Sequence, residues 1–262
     1  MPYAHHSDPA AKWRQQYQVT RNHIIPFIQN AHSLKPDSKI LEIGCGEGGV
    51  LKAFTDQGFR CYGIDITAGR IEQAKRFFKK EIDDGLVSFY TSDIHDSKSL
   101  DFVRGQIDLI ILKDTIEHIF DQVRILRALH QYLKQGGALF FAFPPWYNPF
   151  GGHQQLADSF LRYVPWFHML PRSLYQKVLQ LGGESEARVN VLLDIYDTRL
   201  SIAKFEKLLR MTGWSILARR FYLFNPIYEY KFGIKGRRQF RWLARLPFVR
   251  DFLSTGVYYL VT

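Results

Sequence analysis

The chain has 262 residues, 46% of them apolar, which excludes a disordered protein and allows one large domain or two small ones. With 35 Lys and Arg against 25 Asp and Glu, the net charge is +10, which favours anionic partners such as nucleic acid, phospholipid surfaces or phosphorylated metabolites without choosing among them. The two cysteines, Cys45 and Cys61, indicate a reducing compartment, and the lack of a signal-peptide pattern or of an apolar run of about 18 residues predicts a cytoplasmic protein that does not span a membrane.

Strands and helices alternate along the first part of the chain. Residues 1–35 predict a loop and then a helix, on which aromatic and aliphatic side chains such as Trp13 and Tyr17 recur at helical spacing. Short apolar runs predict strands at residues 39–43, 60–65, 87–90, 107–112 and 138–143. Helices are predicted at residues 48–57, 67–81, 98–104 and 123–133, the last of them ended by Gly136 and Gly137.

This alternation predicts βαβ units and a parallel sheet, and it stops after residue 143. Residues 144–197 contain Pro-Pro, Gly-Gly and many aromatics, and we interpret them as an insertion over the ligand-binding edge of the sheet. A helix at 201–211 and strands at 214–224 and 256–261 complete the pattern. We therefore divide the chain into an N-terminal helical cover, a core, a cap insertion and a C-terminal part of the core, at residues 1–37, 38–143, 144–197 and 198–262.

The most informative segment lies between the first strand and the first helix of this core, and reads Glu42-Ile-Gly-Cys-Gly-Glu-Gly-Gly49. Glycines there let the backbone turn sharply and let a ligand approach the main chain, and the helix N-terminus offers free N–H groups. Asp65 ends the second strand, where a carboxylate can accept hydrogen bonds from both ribose hydroxyls. The glycines fit the dinucleotide pattern G-x-G-x-x-G, the pattern E/D-x-G-x-G-x-G, or a loop used only for packing.

The second of these patterns resembles motif I of the class I S-adenosylmethionine (SAM)-dependent methyltransferases. Glu42 suits the methionyl ammonium of SAM, and Ser92-Asp93-Ile94 follows the third strand, where the family places an acid for the adenine amino group. The closing helix, strand, connection and strand look like the family's antiparallel hairpin. The resemblance implies an α/β fold with a Rossmann-like seven-stranded sheet in the order 3-2-1-4-5-7-6, its last strand antiparallel, and a helical cap inserted after strand 5.

The resemblance also implies a cofactor and a reaction. SAM would donate its methyl group to a small-molecule acceptor, leaving S-adenosylhomocysteine, with O-methylation favoured and a phenolic, quinone-like or glycan- or lipid-precursor acceptor expected. A sulfonium methyl is already electrophilic, so the protein's main task is to hold the nucleophile in line. The residues expected to bind SAM are Glu42, Gly44, Cys45, Gly46, Gly48, Asp65, Ile66, Ser92, Asp93, Ile94 and Lys113.

The segment after the fourth strand contains Asp114-x-x-Glu117-His118. It is similar to the quinone-biosynthesis O-methyltransferases, where E-x-x-E-H is implicated in divalent metal binding, although Asp114 is shorter than the first Glu of that pattern. Three interpretations stay open: an Mg²⁺ or Mn²⁺ site, which we do not favour; His118 alone as the group that takes the acceptor's proton; and a helix N-terminal acid pair with a packed histidine.

The start of the insertion supplies further candidates. Trp146 and Tyr147 are predicted to wall the acceptor pocket together with Gln154, and His153 is a second candidate base. The alternative is that these aromatics form the insertion's own core.

Residues 228–252 interleave basic and aromatic side chains, for example Arg241 and Trp242. This pattern fits an amphipathic surface on an anionic membrane or a lipid-like substrate, less well an RNA face, and also an ordinary solvated connection. An RNA or other nucleic-acid methyltransferase, an NAD-dependent oxidoreductase and a SAM-binding protein without acceptor chemistry therefore remain alternatives.

Overall fold

The computed structural model describes residues 8–96 and 100–262. These residues form one sheet of eight strands, in the order β3-β2-β1-β4-β5-β8-β6-β7. The strands are β1 Lys39–Ile43, β2 Arg60–Asp65, β3 Val87–Thr91, β4 Ile107–Lys113, β5 Leu133–Phe143, β6 Ile216–Phe224, β7 Arg237–Arg238 and β8 Gly256–Val261. Strands β1 to β5 pair in parallel, whereas β8 is antiparallel to both β5 and β6.

Helices cover both faces of the sheet and form the insertion after β5. The α-helices are α1 Pro9–Val19, α2 Ile25–Gln29, α3 Gly49–Thr55, α4 Ala68–Phe77, α5 Lys79–Asp83, α6 Gln122–Leu129, α7 Arg172–Leu181, α8 Glu186–Thr198, α9 Ile202–Met211, α10 Ile227–Phe232 and α11 Val249–Phe252. Single 3₁₀ turns lie at Asp101–Val103, Ile116–His118, Gln154–Leu156, Phe160–Tyr163, Phe167–Met169 and Leu243–Arg245. No helix in the described part of the chain is both long and apolar enough to cross a bilayer.

The predicted sheet order is confirmed. The last strand, β8, lies between β5 and β6 and runs antiparallel to both, as the order 3-2-1-4-5-7-6 requires. The one addition is the two-residue strand β7, which pairs with the outer edge of β6. Arg237 and Arg238 carry no apolar alternation, so nothing in their sequence marks them as a strand.

Successive side chains of the central strands point to opposite faces of the sheet, and they form two hydrophobic cores, one on each face. In β4, Leu109 and Ile111 join the core beneath α1 and α3, while Ile110 and Leu112 join the core beneath α6 and α9. A strand buried on both faces must be apolar at successive positions, which explains this nearly unbroken run. Glu42 lies on the α1 side of β1, where its carboxylate is a charged group among apolar side chains. Such a group in a buried strand indicates a binding site.

The structure corrects the predicted end of the helix before β5. The helix stops at Leu129 and not near Leu133, and Leu133–Gly137 already belong to the strand. The register against β4 shifts between the Ile107–Leu133 pair and the Leu109–Ala138 pair, and Gly136 adopts φ +77° within this irregularity. Gly136 and Gly137 therefore accommodate an irregular strand and do not end a helix.

Two predicted helices are interrupted. The N-terminal helix widens into a π-turn at Thr20–Ile24, where the Ile25 N–H bonds the Thr20 carbonyl, because Pro26 has no N–H to continue the α-helical ladder. The helix predicted at residues 67–81 breaks at Phe78, whose ring packs 5.0 Å from that of Phe89. The first seven residues lie outside the described residues, and so does the start of the helix predicted at residues 98–104. The described part of that segment contains the short 3₁₀ turn at Asp101–Val103.

The insertion has a third core of its own, formed among others by Trp146, Phe167, Tyr175 and Leu192. It is joined to the turn that follows β4 by the Thr198 hydroxyl, which donates a 2.6 Å hydrogen bond to the Glu117 carbonyl. The insertion therefore lies against the carboxyl edge of the parallel strands, where α/β sheets bind their ligands.

Candidate functional site

The loop between β1 and α3 turns through left-handed backbone conformations. Gly44 has φ +74° and Gly46 has φ +52°. A Cβ at Gly44 would lie 2.4 Å from the Thr115 hydroxyl oxygen, whereas one at Gly46 would meet only the end of the Arg70 side chain, at 3.9 Å. Gly44 is therefore required by close contact with the loop after β4, and Gly46 leaves open space above the main chain for a ligand.

The Asp65 carboxylate, at the end of β2, holds this loop in place. One oxygen accepts a 2.9 Å hydrogen bond from the Gly46 N–H, and the other accepts a 2.8 Å bond from the Thr67 N–H. Asp65 is 6% exposed and borders a cavity. Each carboxylate oxygen can accept a second hydrogen bond, so this group can bind a ligand hydroxyl without releasing the loop.

A first cavity of about 100 Å³ lies between the glycine loop and helix α1. Its wall carries both signs of charge, from Lys12, Glu42, Glu47, Arg70, Lys113 and Asp114. Trp13 also lines it, with its ring stacked on Tyr17 at 5.9 Å and packed 5.5 Å from Phe77. The N-terminal helix therefore forms one side of the site.

Glu42 is the buried acid of this first cavity. It is 2% exposed, and its Oε2 has no hydrogen-bond partner among the described residues. Burial raises the pKa of this carboxyl well above its ordinary value, an effect that the nearby Lys113 ammonium only partly offsets. A buried acceptor without a donor costs free energy, so a cationic ligand group placed here would be bound favourably.

A second cavity, of about 260 Å³, shares Gly44 with the first and continues past the ends of β2, β3 and β4. Asp65, Ile66, Asp93, Ile94 and His118 are among the residues around it. Ile66 is 69% exposed, so its apolar side chain is available to a flat ring. Asp93 Oδ1 accepts a 2.8 Å hydrogen bond from the His95 N–H, which fixes the direction of that carboxylate.

Lys113 and Asp114 form an ion pair at the end of β4. Asp114 has φ +53°, which is uncommon for a residue with a side chain, and its N–H bonds the Ala142 carbonyl at 2.7 Å. Both residues line the first cavity. Asp114 therefore borders the first cavity together with Glu42, and it is close enough to Glu117 and His118 for its charge to raise the pKa of both.

Glu117 and His118 instead meet His153, which comes from the insertion. The His118 and His153 rings are 5.2 Å apart, and His153 Nε2 lies 3.8 Å from Glu117 Oε1. Glu117 is 3% exposed, while His118 remains open toward the second cavity. The two candidate bases therefore lie side by side at the boundary between core and cap.

Burial determines the protonation states of Glu117, His118 and His153. It raises the pKa of Glu117 well above its ordinary value, and the charge of Asp114 adds to the effect. It lowers the pKa of His153 to about 3, with His118 contributing in the same direction. Enclosure under the cap also lowers the pKa of His118, so both rings are neutral near pH 7 and each offers a lone pair.

The structure places two predicted acceptor contacts inside the cap. Trp146 is 5% exposed and packs 4.6 Å from His168 and 5.4 Å from Tyr196. Gln154 is fully buried, and its amide donates to the Pro149 carbonyl at 2.8 Å. These residues stabilise the fold of the insertion and border neither of the two cavities described above, and their predicted contact with a substrate stays a prediction.

Tyr147 has a different environment. Its ring stacks on Phe252 at 5.2 Å and contacts Phe248 at 5.6 Å, both in the C-terminal connection, while its carbonyl accepts a 3.1 Å hydrogen bond from the Trp166 indole. It therefore joins the cap to the basic C-terminal segment.

Two residues of the glycine motif pack against the core, and their predicted contact with SAM stays a prediction. A Cβ at Gly48 would lie 2.8 Å from the Phe78 ring, so close packing against the core excludes a side chain at this position. Cys45 is 6% exposed, and burial raises the pKa of its thiol well above the ordinary value. Its side chain is a neutral, small apolar group at the edge of the first cavity.

Apart from Lys113, the sequence did not indicate the cations around the first cavity. Lys12 and Arg70 each lie 3.6 Å from the Glu47 carboxylate, on elements separated along the chain. Burial lowers the pKa of Lys231 to about 8, although the charge of Asp114 opposes this shift. The one sequence feature that could have indicated Lys12 was its position next to Trp13 on helix α1.

Known proteins share sequence with the core of this chain. A family model described as a methyltransferase domain matches residues 11–181. The ubiquinone biosynthesis O-methyltransferase of Histophilus somni (strain 2336) is 29% identical over 138 residues, which cover 52% of this chain and 56% of that protein. The chain thus spans about half the length of the curated relatives it matches.

Solved structures share the fold at low identity. The geranyl diphosphate C-methyltransferase of Streptomyces coelicolor A3(2), solved with Mg²⁺, geranyl diphosphate and S-adenosylhomocysteine, is 13% identical, with a TM-score of 0.55 over 90% of this chain and 74% of that one. Phosphoethanolamine N-methyltransferase 2 of Haemonchus contortus, solved with SAM, is 14% identical, with a TM-score of 0.56 over 94% of this chain and 56% of that one.

Proposed function

We propose that this chain, which belongs to the methyltransferase-domain family, transfers a methyl group from SAM to a small molecule. The observation that carries the proposal is the pair of cavities meeting at Gly44, one bordered by Glu42 and the other by Asp65. Membership of this family argues against the NAD-dependent oxidoreductase that the glycine pattern also allowed.

The first cavity suits the amino-acid end of SAM. A zwitterion needs an acceptor for its ammonium and a cation for its carboxylate, and the cavity offers the partnerless oxygen of Glu42 opposite Lys12 and Arg70. The second cavity suits the adenosine, with Asp65 toward the ribose and Asp93 and Ile94 toward the adenine.

For the acceptor we propose a hydroxyl group on a phenolic or quinone-like molecule. SAM supplies an electrophilic methyl group. His118, neutral near pH 7 and open to the second cavity, would take the hydroxyl proton as the new bond forms. The similarity to a ubiquinone biosynthesis O-methyltransferase over the core supports this acceptor class.

We expect that replacing His118 with Gln lowers kcat at least about a hundredfold, the usual contribution of a general base, while affinity for S-adenosylhomocysteine stays unchanged. Transfer of labelled methyl from SAM into catechol-type acceptors and into fractionated cell extract measures this. His32→Gln is the matched control, because His32 lines a separate cavity beside Lys35 and Lys134. Full activity of His118→Gln would reject the base assignment, and absence of any methyl transfer would reject the proposed reaction.

We also propose that the protein contacts an anionic membrane through its C-terminal connection. Phe240, Trp242 and Phe248 are 47%, 65% and 60% exposed, next to the exposed Arg241 and Arg245. Through Tyr147 this surface continues to Trp166 of the cap, which is 42% exposed. Exposed aromatics among arginines match the headgroup region of an anionic bilayer, and such contact would bring the cap toward a lipid-like acceptor.

This contact predicts binding to phosphatidylglycerol vesicles and little binding to phosphatidylcholine vesicles. Arg241→Gln should weaken vesicle binding about fivefold, since a basic residue near an anionic surface contributes about 1 kcal/mol, and Trp242→Ala should weaken it further. Met211→Ala, which removes a 51% exposed side chain at the end of α9, should have no effect in a flotation assay. Equal binding to both vesicles would contradict the proposal, and salt-sensitive tRNA binding without vesicle binding would favour a nucleic-acid substrate.

A further inference from the structure

Helix α10, in the C-terminal connection, brings a lysine to the edge of the candidate site. The helix is held against the π-turn of the N-terminal helix by a 2.8 Å hydrogen bond, which the Asn22 amide donates to the Tyr230 hydroxyl. The next residue, Lys231, is partly buried. Its charge acts on Asp114 at the end of β4 and on His153 of the cap, so its ammonium group lies near both.

Lys231 is a cation without a counter-ion of its own. Its ammonium group forms no hydrogen bond or salt bridge with any described residue. Burial lowers its pKa to about 8, which leaves it protonated at pH 7. The nearby acid, Asp114, is already paired with Lys113. Two ammonium groups therefore share one carboxylate, and an anion placed beside Lys231 would be bound favourably.

The Tyr258 hydroxyl is a second unpartnered donor in this region. Tyr258 is 2% exposed, and its hydroxyl has no hydrogen-bond partner among the described residues. It pairs across the sheet with Ala142, whose carbonyl accepts the Asp114 N–H, and the charge of Asp114 acts on its hydroxyl. An ammonium group and a buried hydroxyl, both near Asp114 and both without acceptors, are donors suited to an oxyanion.

Binding of SAM in the proposed position would leave Lys231 without a partner. The ammonium of SAM would pair with Glu42, and its carboxylate with Lys12 and Arg70, which line the first cavity. Lys231 does not line that cavity. The sulfonium adds another positive charge to the site, so the acceptor is the component of the reaction that can balance the charge of Lys231.

We propose that Lys231 and Tyr258 bind an anionic substituent of the acceptor, a carboxylate or a phosphate group, and that the enzyme therefore prefers acceptors that carry one. This assignment rests on the proposed methyl transfer and specifies its substrate class. His153 neighbours both Lys231 and His118, whose ring is 5.2 Å away, so a small aromatic acceptor can reach both. A separate hydroxyl of the acceptor gives its proton to His118 while its oxygen bonds the methyl carbon, and the electron pair of the broken bond stays on the sulfur of S-adenosylhomocysteine.

The test compares catechols that differ in the charge of one substituent: catechol itself, protocatechuate with a carboxylate, dihydroxybenzyl phosphate, and dopamine with an ammonium group. The unaltered chain should methylate the two anionic compounds with a kcat/KM at least about tenfold above that for catechol, and should use dopamine least. Whichever of the two anionic compounds is used better identifies the preferred anion, a carboxylate or a phosphate.

Lys231→Met keeps the length of the side chain and removes its charge. It should abolish the preference for anionic acceptors, while kcat/KM for catechol and affinity for S-adenosylhomocysteine change less than about twofold. Tyr258→Phe should reduce the preference about fivefold or more, because it removes only the hydroxyl donor. The matched control is Lys235→Met, the same change at an exposed lysine of the same connection, and it should keep the full preference.

Two results would overturn the assignment: similar use of catechol and the anionic compounds by the unaltered chain, or a Lys231→Met variant that loses activity equally with all four. Weaker binding of S-adenosylhomocysteine by Lys231→Met would also overturn it, since Lys231 would then serve the cofactor carboxylate. If none of the four compounds is methylated, their effect on the Tm of the S-adenosylhomocysteine complex decides: stabilisation by the anions alone, lost in Lys231→Met, supports the assignment, and no difference from catechol rejects it. Failure of the unaltered chain to bind S-adenosylhomocysteine would instead reject the proposed function itself.

Discussion

Replacing Asp65 with alanine should weaken SAM and S-adenosylhomocysteine binding by at least about tenfold, because a hydrogen bond to a charged group contributes about 1.5–3 kcal/mol. The variant loses both the proposed ribose contact and the acceptor that fixes the Gly46 and Thr67 N–H groups. The glycine loop then has to be ordered by the ligand itself, which adds to the cost. Isothermal titration calorimetry with S-adenosylhomocysteine measures the effect directly.

The control for this variant is Asp84→Ala. It removes the same charge from the exposed end of α5, away from both cavities. Its affinity should match that of the unaltered chain. If Asp65→Ala also binds the ligand unchanged, Asp65 serves the loop alone and the ribose assignment is wrong.

Replacing Glu42 with glutamine should have opposite effects on binding and on stability. Binding should fall by about tenfold or more, since the ligand ammonium loses its charged acceptor. The unliganded protein should become more stable, because a 2% exposed carboxyl with a partnerless oxygen is replaced by a neutral group of the same shape. Removing about 1–2 kcal/mol of desolvation cost would raise Tm by roughly 2–8 °C in a domain of this size.

The gain in stability should depend on pH in a defined direction. Folding raises the pKa of Glu42, so the folded state retains a proton that the unfolded state releases above the ordinary pKa of 4.5. This group therefore makes the unaltered chain less stable as pH rises, while the Gln variant has no such loss. The difference in Tm between the two should be larger at pH 8 than at pH 5. A lower Tm for Glu42→Gln at both values would show that Glu42 supports the fold instead.

The local sequence pattern was sufficient to predict the bounds of several strands of the sheet. Strands β1, β2 and β8 have the bounds that the sequence predicts, because each apolar run extends only to the glycine or polar residues beside it. The start of β5 was not predictable in this way, since Lys134 and Gln135 interrupt the pattern and pairing with β4 decides their conformation. The two residues of β7 likewise form a strand only because β6 offers an edge.

The glycine loop was predictable because its residues are contiguous and their spacing reflects backbone geometry. The grouping of Glu117 with His153 was not, since it depends on how the cap folds over the sheet, and no local pattern encodes that contact. The environment of Trp146 also could not be predicted from the local sequence. An aromatic in an insertion has the same composition whether it faces a ligand or packs against Tyr196, and only the tertiary structure distinguishes the two.

The position of β8 has a consequence for how the protein is made. All six of its residues are buried, and it separates β5 from β6, so β6 has no route into the main sheet before residues 256–261 leave the ribosome. The nascent chain can assemble β1 to β5 early, but the hydrophobic edge of β5 stays unpaired until β8 has been synthesised. Completion of the sheet therefore waits for the last of its strands in chain order, and a chain interrupted before β8 would have an exposed, aggregation-prone strand edge.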